Sequence, residues 1–213
     1  HSATTDKATY GITWHGVQNA LLWLALGLMT VHVLIYLAFG AALIPFPFDY
    51  DQAEGFELNN AILFAQGQCP YCDNDSFPFY ASGYTPFFHL LMVPFVWLFG
   101  PDFWYGRLLI FVATLVTAGA IAYAVNQHSN HRWIAILAGF AFLASNYIYH
   151  IGPLLRQHLL MVMLETLAVV LVATTFAHGR IRYRRLLVVF TLLLLAGYKI
   201  GRASCRERVF PVV

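Results

Sequence analysis

The amino-acid sequence predicts an all-α fold, a polytopic transmembrane helix bundle with interfacial helices in a long first extracytoplasmic loop. Three observations carry that expectation. The composition is 60% apolar and only 10% charged, where an average soluble domain has about 25% charged residues. Apolar stretches recur along most of the 213 residues, several of them near the roughly 20 residues that a helix needs to cross a hydrocarbon layer. The basic residues are gathered in a few loops, which gives the spans a direction. A net charge of +2 leaves no basic footprint for nucleic acid. No Walker-type or dinucleotide-type glycine pattern is present either.

Residues 1–16 are expected to form a short cytoplasmic N-terminus, followed by a first span at about 17–44. That apolar run is longer than the roughly 7–15 residues of a signal-peptide core, and no small-x-small cleavage site closes it. A second span is expected at about 104–125, behind the Gly100-Pro101 break. Further spans are expected at about 133–149, 159–176 and 186–198.

The loop between the first two spans, 45–103, contains an apolar run at 87–99. As a helix this run is only about 20 Å long, too short to cross, so it is read as interfacial or re-entrant. With that run outside the count, the loops 126–132 and 178–185 lie on the same side as Lys7. The second of them holds Arg180, Arg182, Arg184 and Arg185, which the positive-inside rule assigns to the cytoplasm. The 45–103 loop then faces the cell exterior or periplasm of a multi-pass cell-membrane protein. It is acidic, with Asp49, Asp51, Glu54, Glu57, Asp73, Asp75 and Asp102.

The segment 200–213 is set aside. Ile200-Gly201-Arg202-Ala203-Ser204-Cys205-Arg206-Glu207-Arg208-Val209 matches, in one frame, the translation of a common sequencing-library adapter. A natural basic juxtamembrane segment is the alternative. On the adapter reading the gene continues beyond Tyr198, and Lys199, Arg202, Cys205, Arg206 and Arg208 carry no information.

The densest chemical signal follows the first span: Phe48-Asp49-Tyr50-Asp51-Gln52-Ala53-Glu54-Gly55-Phe56-Glu57. The stretch 54–66 interleaves Phe56, Ala61, Ile62, Phe64 and Ala65 with Asn59, Asn60 and Gln66, a pattern suited to a helix lying along the interface. Carboxylates at a partly desolvated surface suit general-base work. The alternative is a solvated acidic cap on a helix N-terminus, where acids are favoured in any case.

The order of motifs carries a resemblance. The acidic cluster is followed by Ala65-Gln66-Gly67-Gln68 and Pro70-Tyr71 with Asp73. Next come Tyr84-Thr85-Pro86-Phe87 leading into His89-Leu90-Leu91, then Leu98-Phe99-Gly100-Pro101, with Gly106-Arg107-Leu108 opening the second span. Over about residues 17–125 the chain resembles the GT-C type membrane glycosyltransferases related to protein O-mannosyltransferases and to the aminoarabinose transferase of lipid A. Two details depart from that pattern: Asp51-Gln52 stands where an Asp-Glu pair is frequent, and Tyr84-Thr85-Pro86 where a Pro-Pro pair is frequent.

The resemblance implies transfer of a sugar from a polyprenyl-phosphate-linked donor, held in membrane lipid, to an acceptor of unspecified identity on the extracytoplasmic face. An Asp of the first external loop then deprotonates the acceptor hydroxyl, and basic side chains stabilise the leaving phosphate. Asp51 is the first candidate for this base, Glu54 the second, and Asp49 an orienting partner. Tyr84, His89, Arg107 and Arg156 are candidates for substrate contact, with anchoring of the second span as the alternative for Arg107 and interfacial snorkelling for Arg156. No metal site is assigned, and a divalent metal is left open as a cofactor. Members of the family are longer, so this stretch is expected to be inactive by itself.

Rival readings remain at this level. One is a non-catalytic transporter or assembly component whose acids bind a substrate or ion. Another is a membrane thiol–disulfide oxidoreductase using Cys69-Pro70-Tyr71-Cys72, although the βαβ setting of thioredoxin-like motifs is missing. Incidental thiols or a local disulfide are the plainer account of those cysteines. Glu165, about two turns into the fourth span, is expected to face a bundle interior or cavity. His89, His128, His131 and His150 are otherwise read as interfacial or core groups.

Overall fold

The computed structural model of the protein describes residues 14–71, 86–177 and 183–200. Among these it is all-helical, with α1 (Trp14–Leu43), α2 (Gln52–Ala65), α3 (Phe87–Phe99), α4 (Trp104–Ser129), α5 (Arg132–Leu143), α6 (Asn146–Ile151), α7 (His158–Ala177) and α8 (Tyr183–Ile200). Three stretches are long and apolar enough to cross a membrane: Gly16–Leu43, Trp104–Ser129 and His158–Thr175. At 1.5 Å per residue, even the 18 residues of the last reach about 27 Å.

The stretch expected as a third span, 133–149, is not one continuous helix. It is two helices, α5 of 12 residues and α6 of 6, because Ser145 adopts an extended conformation between them (φ −64°, ψ 133°). Ala144 N–H closes α5 on Phe140 O, and Tyr149 N–H opens the new ladder on Ser145 O. A break of this kind is tolerated at membrane depth where protein covers the backbone. The short helix expected at 87–99 is present as α3, and the interfacial stretch expected at 54–66 is the body of α2.

The helix ends follow from their residues. Asp51 caps α2 in an extended conformation (φ −139°, ψ 131°), accepting from Ala53 N–H at 3.3 Å, as an N-cap aspartate does. At the other end Gly67 takes φ +74°. Its N–H reaches Phe64 O at 3.0 Å and Gln68 N–H reaches Leu63 O at 2.8 Å, the paired bonds of a Schellman stop. Asn130, at φ 56°, ends α4 in the left-handed region and turns the chain into α5.

Two clusters hold the helices together. Leu58, Ala61, Phe88, Met92, Ile110, Leu155 and Leu159 join α2, α3, α4, the 152–157 turn and α7. Val33, Tyr36, Ala118 and Leu143 join α1, α4 and α5. In lipid, close packing holds helices where exclusion of water does not, and glycines permit it, Gly139 and Gly106 among them. A Cβ at Gly139 would sit 2.9 Å from Ala118 O, and one at Gly106 would overlap Leu155. The second contact draws the 152–157 turn onto the start of α4, beneath α2.

Candidate functional site

Three acids at intervals of three residues, Asp51, Glu54 and Glu57, run from the cap of α2 along its first turns. This spacing keeps successive side chains on neighbouring parts of one helix face. Each meets a different partner: Arg156 for Asp51, Arg107 for Glu54, His89 for Glu57.

The central pair is fully buried, at 0% exposure for both Glu54 and Arg107. Arg107 donates from Nε to Glu54 Oε1 at 2.9 Å and from Nη2 to Oε2 at 2.8 Å. Its remaining N–H groups reach Leu43 O at 2.9 Å, Phe46 O at 2.6 Å and Phe48 O at 2.8 Å. A guanidinium has five donors, and all are used. The 43–48 connection needs them, since Pro45 and Pro47 bring no N–H of their own. The carboxylate is equally occupied, because Oε2 also accepts from Tyr50 N–H at 2.9 Å and Oε1 from Leu155 N–H at 2.7 Å. Burying two charges is costly unless hydrogen bonds satisfy them; here the bonds are complete. Glu54 therefore has no free lone pair for proton transfer, and Arg107 no free donor for a ligand.

The outer pair has a different setting. Asp51 Oδ2 accepts from Arg156 Nη2, with 38% of the aspartate side chain and 24% of the arginine side chain exposed. Both line an open cleft of about 490 Å³, with Tyr50, Gln52, His150, Ile151 and Leu154. Arg156 Nε is buried without a partner. An ion pair beside open volume is suited to meeting an anionic group.

The inner pair is a chain. His89, 1% exposed, donates from Nε2 to Glu57 Oε2 at 2.5 Å, and its Nδ1 lies 3.0 Å from Tyr71 Oη. With the proton on Nε2, Nδ1 is left to accept from the tyrosine. The amide of Gln157, 2% exposed, lies against Glu57; because a carboxylate only accepts, its nitrogen is assigned to that side, where it donates to both oxygens at 2.8 Å. Phe64 stacks on His89 at 6.4 Å between ring centroids.

Of the residues the sequence singles out, the structure brings Asp51 and Arg156 together in a cleft and sets Glu54, Arg107 and His89 beneath it. Asp49 is exposed, with its carboxylate near Gly55, and is not bonded to Asp51. Tyr84 and Cys72 lie outside the described residues, as do Asp73 and Asp75. Cys69 is engaged in a disulfide. Glu165 is half-buried in α7. Among the described residues no group of three or more His, Cys, Asp or Glu side chains is placed to hold a metal ion. Neither Glu57, one of the acids of the cluster, nor Gln157 is given a role from the sequence; the three-residue spacing of the acids and the adjacency of Gln157 to Arg156 were the available signals. Compared with protein families, curated proteins and solved structures, the chain matches none of them.

Proposed function

We propose that this chain is the membrane-embedded catalytic region of a glycosyltransferase that moves a sugar from a polyprenyl-phosphate donor to an acceptor hydroxyl on the extracytoplasmic face. The observation that carries the reading is the Asp51–Arg156 pair beside an open cleft at the N-terminus of α2. It joins a carboxylate that can accept a proton to a cation that can take a phosphate, which are the two groups this chemistry needs.

In the proposed reaction Arg156 exchanges Asp51 for the donor phosphate. The freed carboxylate removes the acceptor O–H proton as that oxygen bonds to the anomeric carbon. The bond from the anomeric carbon to the phosphate oxygen breaks, and the polyprenyl phosphate leaves with the electron pair, its charge met by the Arg156 guanidinium. Glu54 and Arg107 hold the backbone on either side of this pair and do not touch the reactants.

In the membrane, the same reading sets the N-terminus in the cytoplasm and residues 45–103 outside, with α2 and α3 at the outer interface. Exposed Trp97, Leu98 and Phe99 at the end of α3 suit that position, since aromatic residues gather at the headgroup level.

An ion pair in an open cleft would also serve a transporter that binds without chemistry. Incubating the full-length protein with radiolabelled polyprenyl-phosphate sugar separates the two. A glycosyltransferase consumes the donor and releases polyprenyl phosphate, whereas a transporter returns the donor unchanged.

A further inference from the structure

We propose that His89 and Gln157 are positioning residues for Arg156, acting through Glu57. Three consecutive residues, Leu155, Arg156 and Gln157, each bond to a different acid of α2. Leu155 N–H takes Glu54, Arg156 takes Asp51, and the Gln157 amide takes Glu57. The turn is thus fastened on both sides of the arginine. The Leu155 side is secured by Arg107 and Tyr50 N–H, which fill the rest of Glu54. The Gln157 side depends on Glu57 facing the turn, and Glu57 is 7% exposed.

A carboxylate at that depth needs more than one neutral amide. The second donor is His89 Nε2, at 2.5 Å. Tyr71 Oη, 3.0 Å from Nδ1, holds the ring in place, and the carboxylate on Nε2 sets its tautomer. Without the Nε2 donor, Glu57 turns toward water, Gln157 loses its acceptor, and Arg156 is held from one side only. His89, buried under Phe64 and Phe88, reaches no ligand itself. Its contribution passes through two side chains to the guanidinium.

The proposal rests on the functional reading only for what Arg156 binds, and the test needs no donor. The full-length protein in lipid nanodiscs is treated with phenylglyoxal, and the modification rate of Arg156 is followed by peptide mass spectrometry. Variants are His89→Gln, His89→Leu and Gln157→Leu. Glutamine keeps an N–H near the Nε2 position, whereas leucine fills the volume without a donor. The expected result is Arg156 modified about tenfold faster in His89→Leu and Gln157→Leu, as for loss of one or two hydrogen bonds. His89→Gln should stay within about twofold of the parent, and Arg107 should remain unmodified throughout. Parent-like Arg156 in His89→Leu, or equal acceleration in the leucine and glutamine variants, overturns the proposal. Either result leaves the glycosyl-transfer reading standing, and failure of donor consumption leaves this one standing.

Discussion

Glu54 accepts the backbone N–H of Leu155 at 2.7 Å while Arg107 holds the same Oε1 at 2.9 Å. One buried carboxylate therefore fastens the residue before Arg156. Its other oxygen fastens Tyr50, the residue before Asp51. The two members of the exposed pair come from positions 105 apart in sequence, and a single ion pair beneath them sets their separation. Several consequences can be measured.

The Glu54–Arg107 pair should not be replaceable by apolar residues. Buried ion pairs often are, because well-packed hydrophobic side chains avoid the desolvation cost. Here, however, the carbonyls of Phe46 and Phe48 and the N–H groups of Tyr50 and Leu155 would lose the partners that this pair supplies. Each buried group so orphaned costs about 1–3 kcal/mol. Arg107→Met alone should destabilise by about 3–5 kcal/mol, and adding Glu54→Leu should not restore stability in a denaturant titration. Recovery to the parent value would refute the clamp.

Gly106 and Leu155 should be energetically coupled. A methyl at Gly106 would overlap the Leu155 side chain, and overpacking of this kind costs about 1–3 kcal/mol. Gly106→Ala is expected to lower the thermal midpoint in the parent, with less than about half that cost in a Leu155→Ala background, where the clash is absent. Strict additivity of the two would mean that α4 and the 152–157 turn do not meet as described.

Asp51 should be masked until an anion arrives. While Arg156 holds Oδ2, a carbodiimide has poor access to that carboxylate. Adding polyprenyl phosphate is expected to raise labelling of Asp51 by about tenfold, the equivalent of one ordinary hydrogen bond. Arg156→Gln should give the higher rate without any lipid. Labelling indifferent to both would remove the exchange step from the mechanism.

The orientation is open to direct chemistry. A cysteine at Gln66, exposed at the end of α2, should react with a membrane-impermeant maleimide added to intact cells. One at Ser129, at the end of α4, should react only after permeabilisation. The reverse pattern would turn the cleft toward the cytosol and remove it from extracytoplasmic chemistry.

Much of the architecture was legible because hydropathy is a local property. The long apolar helices and the short α3 follow from composition within a window; that α2 buries Glu54, Glu57 and Asn60 and exposes Phe56 does not. The break at Ala144–Ser145 was not legible, since Ser145-Asn146 is only a two-residue polar interruption in an otherwise largely apolar run. In the site, the acidic cluster at the head of α2 was visible, but the role of each acid was not. Asp51 and Glu54 differ by three positions, and only tertiary pairing leaves one half-exposed and the other fully occupied. Arg107 and His89 are equally silent in sequence. A basic residue next to an apolar run reads as an anchor or a ligand contact, and its burial against a carboxylate 53 or 32 positions away is not a local property.

In the proposed mechanism Asp51 removes the acceptor proton while Glu54 holds the backbone. Single-turnover transfer from radiolabelled polyprenyl-phosphate sugar, with the full-length protein and its Asp51→Asn and Glu54→Gln variants, tests it most directly. Asp51→Asn should fold as the parent does and lose about 10²–10⁴-fold in rate. Glu54→Gln should lose stability first, with rate falling in step with the folded fraction. An Asp51→Asn protein that transfers sugar at the parental rate would contradict the account.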